Sequence, residues 1–251
     1  MAEVCRVYEQ PALRQVAGDV LRPGGLALTR HALIVAELPP GARVLDLGCG
    51  VGTTAATCRA EFDLDAVGLD VSAGMLAEAQ EQHSTLPLVQ APGARLPFGD
   101  GAVDAVLAEC VLSLMPDLDA ALADIRRVLR DDGLLIVSDL YARAPDGVSD
   151  LRGLSLGSCL RGALPRADFE ARLTAHGFTL ILWEDYTEAL KAFTARLIFE
   201  HGSLASFWGC VTGNPAAAGP IQQATARARP GYFLALAQKF FNMDGQDRQD
   251  F

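Results

Sequence analysis

A short apolar run at residues 43–47 drives straight into glycines at alternate positions, Gly48, Gly50 and Gly52, and a helical pattern begins at Thr53. Glycine is needed where a chain turns sharply, and where the backbone approaches a ligand too closely for any Cβ. A helix that starts just past such a turn presents unpaired N–H groups at the end of the strand. In open parallel sheets, ligands sit in this position, beyond the carboxyl ends of the strands.

The rest of the chain repeats the unit. Apolar strand patterns are expected at 43–47, 66–69, 86–90, 103–107, 133–138, 178–183 and 231–238. Helical patterns lie between them at 26–38, 53–62, 73–82, 118–130, 167–176 and 187–206. The alternation predicts an α/β fold whose mostly parallel sheet is covered by helices on both faces. The glycine- and proline-containing stretch 142–165 and the Gly/Pro/Ala-rich stretch 211–230 read as loop, and the polar tail as frayed. With 251 residues, half of them hydrophobic, the chain can bury one full core. The reading divides it into 1–141, a ligand-binding core with an N-terminal helical lid, and 142–251. The second part completes the same sheet and adds an acceptor-side loop and further helices.

Charge narrows the function. The formal net charge is -10, and no Lys/Arg cluster interrupts it. Nucleic acids and anionic membrane surfaces are therefore excluded as expected partners. No signal-peptide core opens the chain, and no apolar run reaches the roughly 20 residues that span a bilayer. A cytoplasmic location is expected, with the six cysteines mostly reduced. None forms a CxxC pair, so no structural metal is expected.

The ligand can be narrowed too. The spacing is G-x-G-x-G, Asp46 stands two residues before the first glycine, and Asp70 closes the second strand, where a carboxylate can take both hydroxyls of a ribose. The combination favours S-adenosylmethionine over a nicotinamide dinucleotide. Gly68-Leu69-Asp70-Val71-Ser72 with Met75-Leu76, Leu96-Pro97-Phe98-Gly99-Asp100-Gly101, and Arg127-Val128-Leu129-Arg130-Asp131-Asp132-Gly133 follow in order. Together with the glycine turn, these blocks resemble the class I S-adenosylmethionine-dependent methyltransferases over residues 40–140. The resemblance implies a Rossmann-like seven-stranded sheet, with the last strand antiparallel between the fifth and sixth. It also implies a cofactor site. Asp46, Gly48 and Gly50 would line the methionine portion, Gly52 would belong to the same cofactor site, Asp70 would hold the ribose, and Val71 and Met75 would flank the adenine. Glu109 would stand near the methionine ammonium. The family's usual Asp before Leu-Pro-Phe is missing here, which leaves the backbone around Gly93 and Ala94 to meet the adenine.

Two further segments bear on the methyl acceptor, expected to be a small molecule. Glu109-Cys110-Val111 and Ser158-Cys159-Leu160-Arg161-Gly162-Ala163-Leu164 resemble blocks of the arsenite methyltransferases, as does Val137-Ser138-Asp139-Leu140-Tyr141. The resemblance implies that Cys110 and Cys159 act together as ligands of a soft centre, which thiolates suit. Thr29 stands near the position of that family's further upstream cysteine. Cys5 lies too far upstream to replace it, and Cys210 is a candidate from the C-terminal part. Residues 43–140 equally resemble the quinone-biosynthesis methyltransferases. For an organic acceptor, Glu109 or His201 would be the base. A non-catalytic cofactor-binding module is the reading from another class. Cys49 reads as a small filler, His31 as structural, and His83 and His176 as solvent-facing.

Overall fold

The computed structural model of the chain describes residues 20, 22–155 and 157–240; Cys5 and the polar tail lie outside them. Seven strands form one sheet: β1 Arg43–Leu47, β2 Asp65–Asp70, β3 Leu88–Gln90, β4 Val103–Glu109, β5 Leu129–Ala142, β6 Phe178–Asp185 and β7 Pro230–Lys239. Their spatial order is β3-β2-β1-β4-β5-β7-β6. The first five run parallel, and β7 lies antiparallel between β5 and β6. The order reverses at β1 and β4, so the crevice beyond their carboxyl ends is the expected ligand position.

Around the sheet lie α1 Gly25–Ala36, α2 Thr53–Phe62, α3 Ala73–Gln82, α4 Leu118–Val128, α5 Val148–Arg152, α6 Arg166–Ala175, α7 Thr187–His201, α8 Leu204–Thr212 and α9 Ala218–Ala228. Strand side chains alternate between faces, and two separate cores result. Val44, Ala105, Leu107, Ile136, Tyr232, Leu234 and Leu236 face one core with α1, α2, α7, α8 and α9. Leu45, Leu47, Val106, Ala108, Val137 and Phe233 face the other, with α4 and α6. The same alternation decides where polar residues go. Asp46, Glu109 and Ser138 fall on the first face, near the carboxyl ends of β1, β4 and β5. Pairing register sets Glu109 beside Ser138.

Several expectations are corrected. The helix expected over 187–206 is two helices, because Gly202 adopts φ +76° and ends α7 there. Residues 211–230 are not a loop throughout. They hold α9, which buries Ala218, Ile221, Ala224 and Ala228; packing overrides the Gly/Pro-rich composition. The stretch 142–165 contains α5 and short 3₁₀ turns. Helix α4 stops at Val128 because Leu129 pairs with Val103 and starts β5, which runs on to Ala142.

An aromatic cluster holds the C-terminal strands to the second core. Trp183 and Phe233 stack 4.2 Å apart, Tyr141 meets both rings edge-on, and Phe169 packs beside them. Phe233→Ala removes the central ring, so denaturant unfolding should show a loss of about 3–5 kcal/mol. A loss below about 1 kcal/mol would show that β7 does not depend on this cluster.

Candidate active site

The glycine turn is built by positive backbone angles, φ +72° at Gly48, +54° at Gly50 and +81° at Gly52. Gly48 N and Cys49 N both donate to Leu69 O, at 2.7 and 3.0 Å, lashing the turn to β2. The glycines differ in what surrounds them. A Cβ on Gly48 would stand 2.6 Å from Val111 Cγ2, and one on Gly52 2.7 Å from Leu86 Cδ2. Both are required by the protein's own packing. At Gly50 the nearest atom is Met75 Cε at 3.3 Å, with no other within 4 Å among the described residues. Gly50 N donates to Asp70 Oδ2 at 2.9 Å, and Ser72 N to Asp70 Oδ1 at 2.9 Å. The Asp70 carboxylate is thus fixed beside the turn at the end of β2.

The expected adenine residues gather along this edge. Met75 is buried on α3 against Gly50, while Val71 is half-exposed. Ala91 N donates to Asp70 O, which starts the Gly93–Ala94 loop beside Asp70. A Cβ on Gly93 would collide with Met115. Cys49 packs its sulfur against Gly68, and burial pushes its thiol well up.

Beneath the turn, carboxylates converge. Asp46 is buried and accepts a hydrogen bond from Ala55 N at 3.0 Å. Burial, and then the nearby Glu109 carboxylate, raise its pKa to about 7, with Arg22 opposing the rise and Asp70 adding to it. Arg22 is the cation facing this group. Its Nη2 pairs with Glu109 Oε2 at 2.5 Å and also donates to Thr29 and to Thr54. Thr29 and Thr54 in turn donate to the two Glu109 oxygens, at 3.0 and 2.9 Å. Glu109 is expected near the methionine ammonium and, for an organic acceptor, as a candidate base. The geometry makes it half of a buried ion pair with both oxygens engaged. Thr29 belongs to that pair's hydrogen-bond network. Neither Arg22 nor Thr54 carries a motif that sequence reasoning would single out. Among the described residues, Asp46 and Glu109 face one guanidinium and Asp70 lies close to Asp46, a surplus of negative charge that fits the ammonium and sulfonium of S-adenosylmethionine.

The expected acceptor side lies past the end of β4. Cys110 takes φ +55°, uncommon outside glycine, and its N–H donates to Ser138 O at 2.7 Å. Its sulfur lies 3.2 Å from the buried Tyr232 hydroxyl, which donates to Ser138 Oγ at 3.2 Å. Cys159 opens a 3₁₀ turn, Cys159–Gly162. The Cys110 and Cys159 sulfurs and an Asp139 oxygen all lie within 4.8 Å of one another. The hydrogen bond with Cys159, together with burial, holds the Cys110 thiol well above its ordinary range. Burial raises Asp139 to about 6, against hydrogen bonds from Ser113 and Leu140. Asp139 lies in a segment the sequence had marked, but with no role assigned to it. Both cysteines open on a cavity of about 430 Å³, walled by Leu140, Phe193, Phe207 and Trp208.

Other candidates fall outside this wall. Cys210 is exposed, and neither it nor His201 lines the cavity; His201 packs its ring against Phe207. His31 pairs with Glu184 and His176 with Asp119. His83 was expected to face solvent, but its Nε2 is buried with no partner among the described residues.

The sequence profile described as "Methyltransferase domain" matches residues 45–137. YodH of Bacillus subtilis, described as an uncharacterised methyltransferase, is 30% identical over 180 residues, covering 70% of this chain and 68% of that one. The chain belongs to the S-adenosylmethionine-dependent methyltransferase family. An arsenite methyltransferase of Aquipseudomonas alcaligenes is 34% identical over 190 residues, covering 68% of this chain and 52% of that one. A demethylmenaquinone methyltransferase of Beutenbergia cavernae is 37% identical over 139 residues, covering 55% and 58%. The chain thus spans little more than half the length of these two relatives. Among solved structures, the [4+2]-cyclase SpnF superposes with a TM-score of 0.70 at 25% identity, covering 96% and 95%. The cofactor of this family is S-adenosylmethionine, and no described helix is long and apolar enough to cross a membrane.

Asp46 gives cofactor binding a pH signature. With a pKa of about 7 it is largely protonated in acid, and a cationic ligand favours its ionised form. Binding should release a proton, so S-adenosylhomocysteine affinity, measured by calorimetry, should rise from pH 5.5 to about 7.5 and then level off. Asp46→Asn should flatten the profile. A flat profile in the unaltered protein would remove Asp46 from the ammonium.

Proposed function

We propose that this chain transfers the methyl group of S-adenosylmethionine to a small acceptor seated beside Cys110 and Cys159, and that the acceptor carries a soft, thiophilic centre such as arsenite. The observation that carries this reading is the thiol pair. Two cysteines 49 positions apart in sequence have their sulfurs within 4.8 Å of each other at the edge of a cavity past the end of β4. The similarity to the arsenite methyltransferase reaches beyond the cofactor-binding core and supports the same choice.

The chemistry asks little of the protein beyond position. Methyl transfer is an in-line displacement, and holding donor and acceptor aligned supplies several kcal/mol. A trivalent arsenic already has a lone pair, so no general base is required. That suits a site in which Glu109 is tied to Arg22. The neighbouring thiol and burial hold the Cys110 thiol well above its ordinary range, and arsenite accommodates a neutral thiol there. As each S–As bond forms, one As–OH bond breaks, and the hydroxide leaves as water with the thiol proton. Asp139 stands beside both sulfurs as a hydrogen-bond acceptor for those protons in transit. A cytoplasmic location, where thiols stay reduced, belongs to the same reading.

The cavity supports a second reading. Its walls are mainly apolar and its volume exceeds what an inorganic oxyanion fills, which suits a small organic acceptor such as a quinol. S-adenosylhomocysteine release decides between them. Arsenite with glutathione should stimulate release, and Cys110→Ser or Cys159→Ser should abolish that stimulation while cofactor affinity stays within about twofold. Stimulation by phenols or hydroquinones alone, indifferent to both cysteines, would favour the organic acceptor. Tight cofactor binding with no acceptor methylated would favour a binding module.

A further inference from the structure

The cavity that opens on Cys110 and Cys159 runs well past the two thiols. Its volume of about 430 Å³ falls in the range of organic-ligand pockets. The thiol end is fixed along β5, because Cys110 N donates to Ser138 O and both sulfurs lie by Asp139. Leu140, Arg143 and Pro230 line the cavity further along. Pro230 is the register partner of Ala142, so these residues mark the far end of the strand. Arg143 N and Ala144 N continue the pairing, onto Arg229 O and Ala228 O, which keeps the chain extended past Ala142. Four residues of extended chain, from Asp139 to Arg143, span about 13 Å.

The lining has a simple chemistry. Leu190, Phe193 and Leu197 of α7, with Phe207 and Trp208 of α8, make the walls apolar. Thiols aside, the ionisable residues that line the cavity among the described residues are Arg143 and Lys191, both cations. The chain as a whole carries 31 acids against 21 Lys and Arg, so this lining runs against its overall charge. Lys191 pairs with Glu188 at 2.6 Å, both of them exposed. Arg143 is tied to the backbone instead: its Nε donates to Arg229 O at 3.1 Å, which fixes the guanidinium and leaves the Nη groups as donors. Asp185, the acid that senses the Arg143 charge, is held by the Tyr141 hydroxyl and by Thr187 N. A fixed guanidinium at one end of an apolar cavity calls for an anionic group, a carboxylate in particular.

We infer that the acceptor is an elongated organic anion, with its methyl-accepting atom beside Cys110 and Cys159, an apolar body along the cavity and a carboxylate or similar group at Arg143. This rests on the acceptor seat proposed above and names the rest of the molecule that fills it. The soft centre is then carried by an organic molecule, since a bare oxyanion would occupy the thiol end alone. The apolar walls supply affinity by burial, and the cation sets orientation. With its anionic end held about 13 Å away, the acceptor can lie only with its reacting end at the thiols.

The test uses ω-mercaptoundecanoate and the neutral alcohol of the same length, ω-mercaptoundecanol, with affinity measured by calorimetry. The unaltered protein should bind the acid about threefold to tenfold tighter, the range of a charged hydrogen bond discounted for the exposure of Arg143. Arg143→Gln should bring the ratio of affinities towards one and leave the alcohol within about twofold, with thermal melting confirming the fold. Equal affinity of acid and alcohol for the unaltered protein would overturn the inference. An acid preference that survives Arg143→Gln would overturn it too. With S-adenosylmethionine present, the probe's sulfur should take the methyl. A new sulfur–carbon bond forms as the carbon–sulfonium bond breaks, S-adenosylhomocysteine leaves, and the thiol proton goes to solvent. Binding as predicted with no such release would overturn the acceptor seat proposed above rather than the anionic group at Arg143.

Discussion

The turn from Gly48 to Gly52 fixes everything that follows it. Three left-handed glycines reverse the chain in five residues, and two N–H groups bind the turn to Leu69 O. This sets the end of β1 against the end of β2, aims α2 at the crevice and brings Gly50 N onto the Asp70 carboxylate. Val111 and Leu86 close on the faces of Gly48 and Gly52 where a Cβ would stand, so the turn has little freedom to relax. A rigid turn of this kind positions a cofactor before any side chain of the acceptor site is considered.

On this frame the charges divide the site. Among the described residues beside the turn, Asp46, Asp70 and Glu109 outnumber Arg22, and protonating Asp46 relieves part of the excess, as a cationic ligand would. Past β4 the chemistry changes from carboxylate to thiol. Cys110 is held with φ +55°, a conformation a side chain adopts at a cost of about 1–2 kcal/mol. Two contacts hold it there: its N–H donates to Ser138 O, and its sulfur meets the Tyr232 hydroxyl. Strain maintained by surrounding contacts is typical of functional positions.

Much of this was legible in the sequence because it is local. Glycine spacing, strand-end acids and alternating apolar runs gave the sheet and the positions of Asp46, Asp70 and Met75; the antiparallel last strand came from the resemblance to the methyltransferases. The break at Gly202 was missed because one glycine within an apolar helical pattern looks tolerable, whereas in the fold it separates α7 from α8. Helix α9 was missed because its stability comes from burying Ile221 and Ala224, and not from its composition. The groups that tune the site lie far from it in the chain. Arg22 meets Glu109 across 87 positions, and Tyr232 meets Cys110 across 122, which no motif records.

If the proposed function holds, one crevice joins a methyl donor below the glycine turn to a thiol-lined acceptor cavity. The decisive measurement is a crystal structure of the chain with S-adenosylhomocysteine. The ligand's ribose should lie on Asp70, its amino-acid end beneath the turn near Asp46, and its sulfur facing the cavity that holds Cys110 and Cys159. A ligand whose sulfur points away from that cavity, with the two thiols behind a protein wall, would contradict it.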